Sequence, residues 1–310
     1  MHRARKILLA VVIAAVLLPT TEARADLRAQ VREKLLVRIN SDRAEHGLSP
    51  VKIDLFASEI ADRYCGAQIE SGTRGHVSVD GLLPYMRYSF AGLEGYVLEN
   101  AAAWSSESPV PRELVAAMAE KSHQKMMSER PPDDGHRRVI LDPWATHVGI
   151  GVAWGGGEVR IAEVFLRRYL QWIFPKRTGR PGDTVSLRAR LFGTTEVDRV
   201  TVHYEPFPYR LTRERANRVE TYALPGETLT LRRGRMPSHF DAAIPSSTDR
   251  EPDTFRISED ELSFDVPLTR GRGVYTIVVW MKGPADGAAF AVTTLGVIAD
   301  ADRPGGSTGR

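Results

Sequence analysis

The chain of 310 residues reads as an α+β protein in two successive parts, helices around a small antiparallel sheet and then an all-β sandwich. Three observations predict this. Apolar residues recur at helical spacing near the start, a glycine-punctuated strand and its hairpin partner follow at 148–166, and beyond residue 183 helical periodicity nearly vanishes.

In chain order, the first segment is a targeting sequence. Arg3, Arg5 and Lys6 precede an unbroken apolar run from Ile7 to Leu18, and Ala23-Arg24-Ala25 offers a small-residue cleavage site. The run is shorter than the roughly 20 residues that span a bilayer. Residues 1–25 are therefore expected to be a signal peptide cleaved near Ala25, giving a secreted or periplasmic protein that does not span a membrane. Those residues carry Arg3, Arg5, Lys6 and Arg24 against Glu22, which accounts for the whole net charge of +3. The remainder is neutral and has no long-range field for nucleic acid or anionic lipid. The single cysteine, Cys65, has no partner for an intramolecular disulfide.

Leu27, Val31, Leu35 and Ile39 repeat every fourth position, predicting a helix over 27–46 stopped by Gly47 and Pro50. A second helix is predicted from an Asp54 N-cap to about Glu70, with Ala57, Ile60, Ala61, Tyr64, Cys65 and Gln68 on one stripe. Cys65 is thus expected to be a small buried hydrophobe. Residues 71–110 show no long periodic run and read as a structured loop. Pro111 opens a third helix that continues to about Glu129, and Pro131-Pro132 ends it. His136 is expected in a turn. Val148, Ile150 and Val152 alternate with Gly149 and Gly151, Gly155-Gly156-Gly157 turns the chain, and 159–166 returns as the hairpin partner.

Residues 171–182 read as a linker. Val185, Leu187, Ala189 and Leu191 alternate, as do Val200 and Val202, and 274–281 and 290–298 are further β-rich runs. This predicts a β-sandwich over 183–300, of immunoglobulin-like type. Residues 210–254 are too polar and irregular to assign, and 301–310 form a loose tail.

Four blocks occur in order: Ile39-Asn40-Ser41-Asp42-Arg43 running to Pro50, His76…Asp80-Gly81, Glu99-Asn100, and Asp134-Gly135-His136-Arg137 running to Thr146-His147-Val148-Gly149-Ile150-Gly151. Together they resemble the CAP superfamily (cysteine-rich secretory proteins, antigen 5, pathogenesis-related 1) in its bacterial, cysteine-poor form. The resemblance covers about 27–170 and implies an α-β-α sandwich there. It also implies a cleft with His76 and His136 as its histidine pair and Glu99 as an acid, although Leu98 stands where the family usually has glycine. Glu129 is the second acid, with Met126 in the aromatic position of the family's aromatic-x-x-Glu. Asn100, Asp80, Gly81 and Arg87 match positions with structural roles.

The chemistry suits that implication. Two imidazoles with flanking carboxylates can hold Zn²⁺ or another divalent cation and leave open positions. Taken singly, His76 is a loop histidine, Glu99 a turn residue, and Glu129 a solvated acid at a helix end, where the dipole disfavours it. His123 falls about 120° round the helix from Glu129 and is not expected in the cleft. His147 reads as structural or surface. Ser122 shares a face with Glu129, yet the Gly-x-Ser-x-Gly elbow of a serine hydrolase is missing.

Since the family is known for binding more than catalysis, the expected function is non-enzymatic binding with a divalent-metal cleft and lipid or protein ligands. Two alternatives stand beside it. One is a metal-assisted hydrolase of peptide or cell-wall polymer, with Glu99 as general base. The other is a glycan- or envelope-binding protein acting through the β-sandwich, with Trp280 and Pro206-Phe207-Pro208-Tyr209 as stacking aromatics.

Overall fold

The computed structural model describes residues 21–193, 196–219, 221–233, 254–283 and 287–300. The apolar run at 7–18 and the tail from 301 lie outside the described residues.

Helix α1 (Thr21–Glu45) leads through strand β1 (Lys52–Ile53) to α2 (Leu55–Ser71) and α3 (Pro84–Phe90). Strand β2 (Tyr96–Ser105) precedes α4 (Val115–Met127) and α5 (Gly135–Ile140), and strands β3 (His147–Gly155) and β4 (Glu158–Arg167) close this part. Asp54 caps α2 by accepting from the Ala57 N–H at 2.7 Å, and Gly72 ends it with a left-handed φ of 66°. The sheet runs β1-β3-β4-β2, antiparallel except for β1 beside β3, which makes it mixed.

Helices cover both faces of this sheet. Val148, Ile150 and Val152 point to one face and pack with Leu35, Ile39, Val115 and Ala119 of α1 and α4. The intervening positions point to the other face, where Ala57, Ala61, Cys65 and Tyr88 of α2 and α3 lie. Glycine is required on that side: a Cβ at Gly149 would stand 2.6 Å from the Ala57 methyl, and one at Gly151 would clash in the same way with that of Ala61. Helix α2 therefore lies on β3 at backbone distance. Cys65 is fully buried, and burial pushes its thiol far above the ordinary range, so it is an inert core residue.

The β-rich part comprises β5 (Leu170–Trp172), β6 (Thr178–Gly179), β7 (Thr184–Leu191) and β8 (Val197–Glu205). After them come α6 (Arg213–Ala216), β9 (Glu227–Arg233), β10 (Thr254–Ser258), β11 (Glu261–Pro267), β12 (Gly273–Lys282) and β13 (Ala289–Ala299). They pair in the order β5-β7-β11-β10-β9-β8-β12-β13-β6. Val185, Leu187 and Phe264 from one half share a core with Val200, Ile277 and Leu295 from the other, so the sheet folds over itself in sandwich fashion.

Four expectations need correction. Residues 71–110 hold α3 and the ten-residue β2 instead of a loop; α3 has too few turns to display a period, and β2 reads Leu-Glu-Asn-Ala-Ala-Ala with no alternation. The stretch 171–182 is more than a linker, because β5 pairs with β7 and β6 with β13. Helix α4 begins at Val115, after an extended Pro111 and one 3₁₀ turn. His136 lies in the first turn of α5, not in a turn between elements.

His123 of α4 is wholly buried beneath the sheet. Its Nδ1 meets Glu163 Oε1 at 2.9 Å and its Nε2 meets Asp42 Oδ2 at 2.8 Å, so both nitrogens face carboxylates. Arg38 also pairs with Asp42, while Glu163 Oε2 is buried with no hydrogen-bond partner among the described residues. Burial alone would lower the His123 pKa, but Glu163 and Asp42 outweigh it and raise it above the ordinary value. The protonated ring thus stabilises the fold fully below the unfolded-state value, and that contribution is lost as pH rises through the raised folded value. Replacing His123 with Leu strands the buried Glu163 carboxylate, leaves Asp42 with Arg38 alone, and is expected to cost about 3–5 kcal/mol by denaturant unfolding. The wild type should lose stability as pH rises from the ordinary histidine range through the raised folded value, and the His123→Leu variant should not show that loss.

Candidate functional site

The site forms where the two helical layers meet at an edge of the first sheet. Strand β2 is that edge, and its neighbours Glu99 and Asn100 point to opposite faces, as successive strand residues must. Glu99 enters the α2–α3 layer and Asn100 the α4–α5 layer.

Glu99 is completely buried in side chain. Its Oε1 accepts from His76 Nδ1 at 3.1 Å, and its Oε2 accepts from Arg87 at 2.6 Å and from the Tyr88 hydroxyl at 3.1 Å. Burial alone would raise its pKa, but Arg87 and His76 reverse the sign and hold the carboxyl below its ordinary range. Arg87 lies on α3 with its guanidinium 3.5 Å from the centroid of the Tyr64 ring of α2. It donates also to the His76 and Leu82 carbonyls, which fixes the loop that carries His76. In that loop Gly81 N–H bonds to Ser78 O at 2.9 Å, with Asp80 exposed within the turn.

On the other face, Asn100 Nδ2 donates to the His136 carbonyl at 3.1 Å and ties β2 to α5. Glu129, just past α4, accepts from His136 Nδ1 at 2.5 Å and from the His136 backbone N–H at 3.0 Å. Its place at the end of α4 is thereby rationalised: it caps the start of α5, where a carboxylate is favourable. Each histidine thus has Nδ1 held by a carboxylate, and neither Nε2 has a protein hydrogen-bond partner among the described residues.

His76, Glu99, Asn100 and His136 line one hollow of about 310 Å³. Tyr85, Leu98 and Val139 add apolar wall to these polar groups. Arg87 and Glu129 stand behind the histidines, and Asp80 and Gly81 belong to the supporting turn and do not line the hollow. No group of three or more His, Cys, Asp or Glu side chains is arranged to hold a metal ion among the described residues.

The sequence reading missed Tyr222. It comes from the β-rich part, lines the same hollow, and sets its ring 5.0 Å from that of His76. Its hydroxyl oxygen accepts the Glu99 N–H at 3.0 Å. Burial and the nearby Glu99 hold the phenol protonated well above its ordinary range. The one available signal was Tyr222-Ala223-Leu224, an apolar island in a polar stretch.

Other candidates are occupied elsewhere. Ser122 accepts from Trp104 Nε1 and donates to the Met118 carbonyl, with no histidine among its partners. His147 is half-buried beside the Thr146 hydroxyl. Trp280 donates to Thr201 and lies beneath Arg199, and Phe207 packs with Tyr85, Met86 and Val274.

No protein-family model matches the chain, and the comparison with curated proteins finds no match. Among solved structures, the chain is similar to an extracellular protein containing a SCP domain from Bacillus anthracis, at 18% identity and a TM-score of 0.37, over 48% of this chain and 44% of that one. It is also similar to an outer surface protein from Borrelia burgdorferi, at 16% identity and a TM-score of 0.35, over 45% of this chain and 93% of that one. A chitin binding domain from Burkholderia pseudomallei follows at 15% identity and a TM-score of 0.24, over 40% of this chain and 57% of that one. The chain thus spans less than half the length of the first of these. No helix among the described residues is long and apolar enough to cross a membrane.

The two acids differ sharply in setting. Replacing Glu99 with Gln leaves Arg87 buried without its counter-charge and is expected to cost about 3–5 kcal/mol. Replacing the more exposed Glu129 with Gln is expected to cost about 1 kcal/mol or less. Thermal unfolding of the two variants side by side checks the contrast.

Proposed function

We propose that this is an exported CAP-superfamily protein that works by binding, through the hollow bounded by His76, Glu99, Asn100 and His136. The observation that carries this reading is the paired setting of the histidines. Each donates from Nδ1 to its own carboxylate, which fixes the ring and leaves Nε2 for a guest. A Zn²⁺ or similar divalent ion is the first guest to consider, and the adjacent apolar wall suits a ligand with a greasy portion, such as a lipid. Export rests on the basic and apolar segment at 1–25, and the immunoglobulin-like character of the β-rich part rests on its alternating strands.

The geometry argues against the two alternatives. A general base needs a free lone pair aimed at water, but both oxygens of Glu99 are engaged and its pKa is held down. Trp280 lies beneath Arg199 and Phe207 packs against Tyr85 and Met86, which weakens a glycan-stacking role for those two aromatics, while Tyr209 is exposed.

Calorimetric titration with Zn²⁺ tests the proposal. Heat is expected with wild type and none with the His76→Ala/His136→Ala pair. Glu129→Gln, which removes the charge behind the His136 ring but spares the fold, is expected to weaken binding about tenfold or more. Identical heats for wild type and the double variant would remove the metal site.

A further inference from the structure

The hollow is closed on one side by a segment that belongs to neither sheet. Between β8, which ends at Glu205, and β9, which begins at Glu227, the chain leaves the β-rich part and crosses the loop that carries His76. The connection is long, and its one regular element is the four-residue helix α6.

Its attachments can be followed along the chain. Gly81 admits the Tyr209 backbone, where a Cβ would stand 2.5 Å from the Tyr209 carbonyl oxygen. Leu211 N–H bonds to Val79 O at 2.7 Å. Asn217 then spans two backbone groups: its Oδ1 accepts from Arg74 N–H at 2.9 Å, and its Nδ2 donates to Gly72 O at 3.3 Å. The segment ends over the hollow with Thr221, Tyr222, Ala223 and Leu224 in its wall. Tyr222 lies beside His76 and takes the Glu99 N–H, so the His76 side chain is only 10% exposed while that of His136 is 38% exposed.

This attachment is thin. Of the described residues between Glu205 and Glu227, Ala216 alone is fully buried, and most of the others are exposed. A segment with few buried contacts opens at far lower cost than the sheets on either side of it. We infer that residues 206–219 and 221–226 form a lid over the cleft, with Tyr222 as the plug. The lid governs access to His76 and leaves His136 open. This inference builds on the cleft as a binding site, but it concerns access and needs no bound metal.

Carbethoxylation of histidines in the full chain, under chelator and at neutral pH and read by peptide mass spectrometry, tests it. In wild type, His136 should react well ahead of His76. Asn217→Ala loosens the lid away from the hollow and should speed His76 roughly tenfold, in line with losing a two-bond anchor, with His136 unchanged. Tyr222→Ala removes the plug and should speed His76 at least as much. Acceleration by Tyr222→Ala with none by Asn217→Ala would mean fixed packing and overturn the lid, as would no acceleration in either. Amide exchange on wild type provides a check without any variant. The Glu99 N–H should exchange well before that of Val164 on the central strand, and equally slow exchange would show that the segment does not open independently. Because chelator is present throughout, loss of the Zn²⁺ heat would leave this result intact, and a lid failure would leave the metal titration intact.

Discussion

A carboxylate carried into a protein interior must have its charge met there, and Glu99 is carried in completely. Meeting that charge requires the Arg87 guanidinium from α3, the Tyr88 hydroxyl beside it and the His76 ring from a loop. Arg87 in turn must be desolvated and supported, which the Tyr64 face and the His76 and Leu82 carbonyls supply. One buried acid therefore sets the relative positions of α2, α3, β2 and the 72–82 loop. The cleft histidine on this side is held in place largely as a by-product of that requirement.

The opposite face is organised by a lighter device. Asn100 reaches α5 through one amide hydrogen bond, and Glu129 holds both the ring and the backbone of His136. Glu163, the cross-strand neighbour of Asn100, belongs to the buried His123 cluster, so the strand that lines the cleft leans on a second set of interior charges. The site is thus asymmetric, with His76 nearly covered and set in a buried charge cluster and His136 more exposed.

Much of this could be read from the chain. Apolar stripes at helical spacing placed α1 and α2, and the alternation around Gly149 and Gly151 placed β3, because those elements bury a single stripe or face. Helix α3 and β2 escaped notice since seven residues hardly display a period and an alanine-rich strand buried unevenly on two sides has no alternation to show. His76, Glu99 and His136 were nominated by resemblance to a family, not by their local sequence, and only three-dimensional proximity shows that they line one hollow. Tyr222 had no comparable signal. Its role depends on a long-range contact from 206–226, where polarity hid the few apolar residues that matter.

Gly149 and Gly151 also bear on the hollow from a distance. They let α2 rest on β3 with only the Ala57 and Ala61 methyls between them, so the contact has no slack with which to absorb a substitution. Tyr64, farther along α2, is the surface on which Arg87 lies. A side chain at either position would therefore push α2 off the sheet and disturb, through Tyr64 and Arg87, the loop that holds His76, although neither glycine lines the hollow.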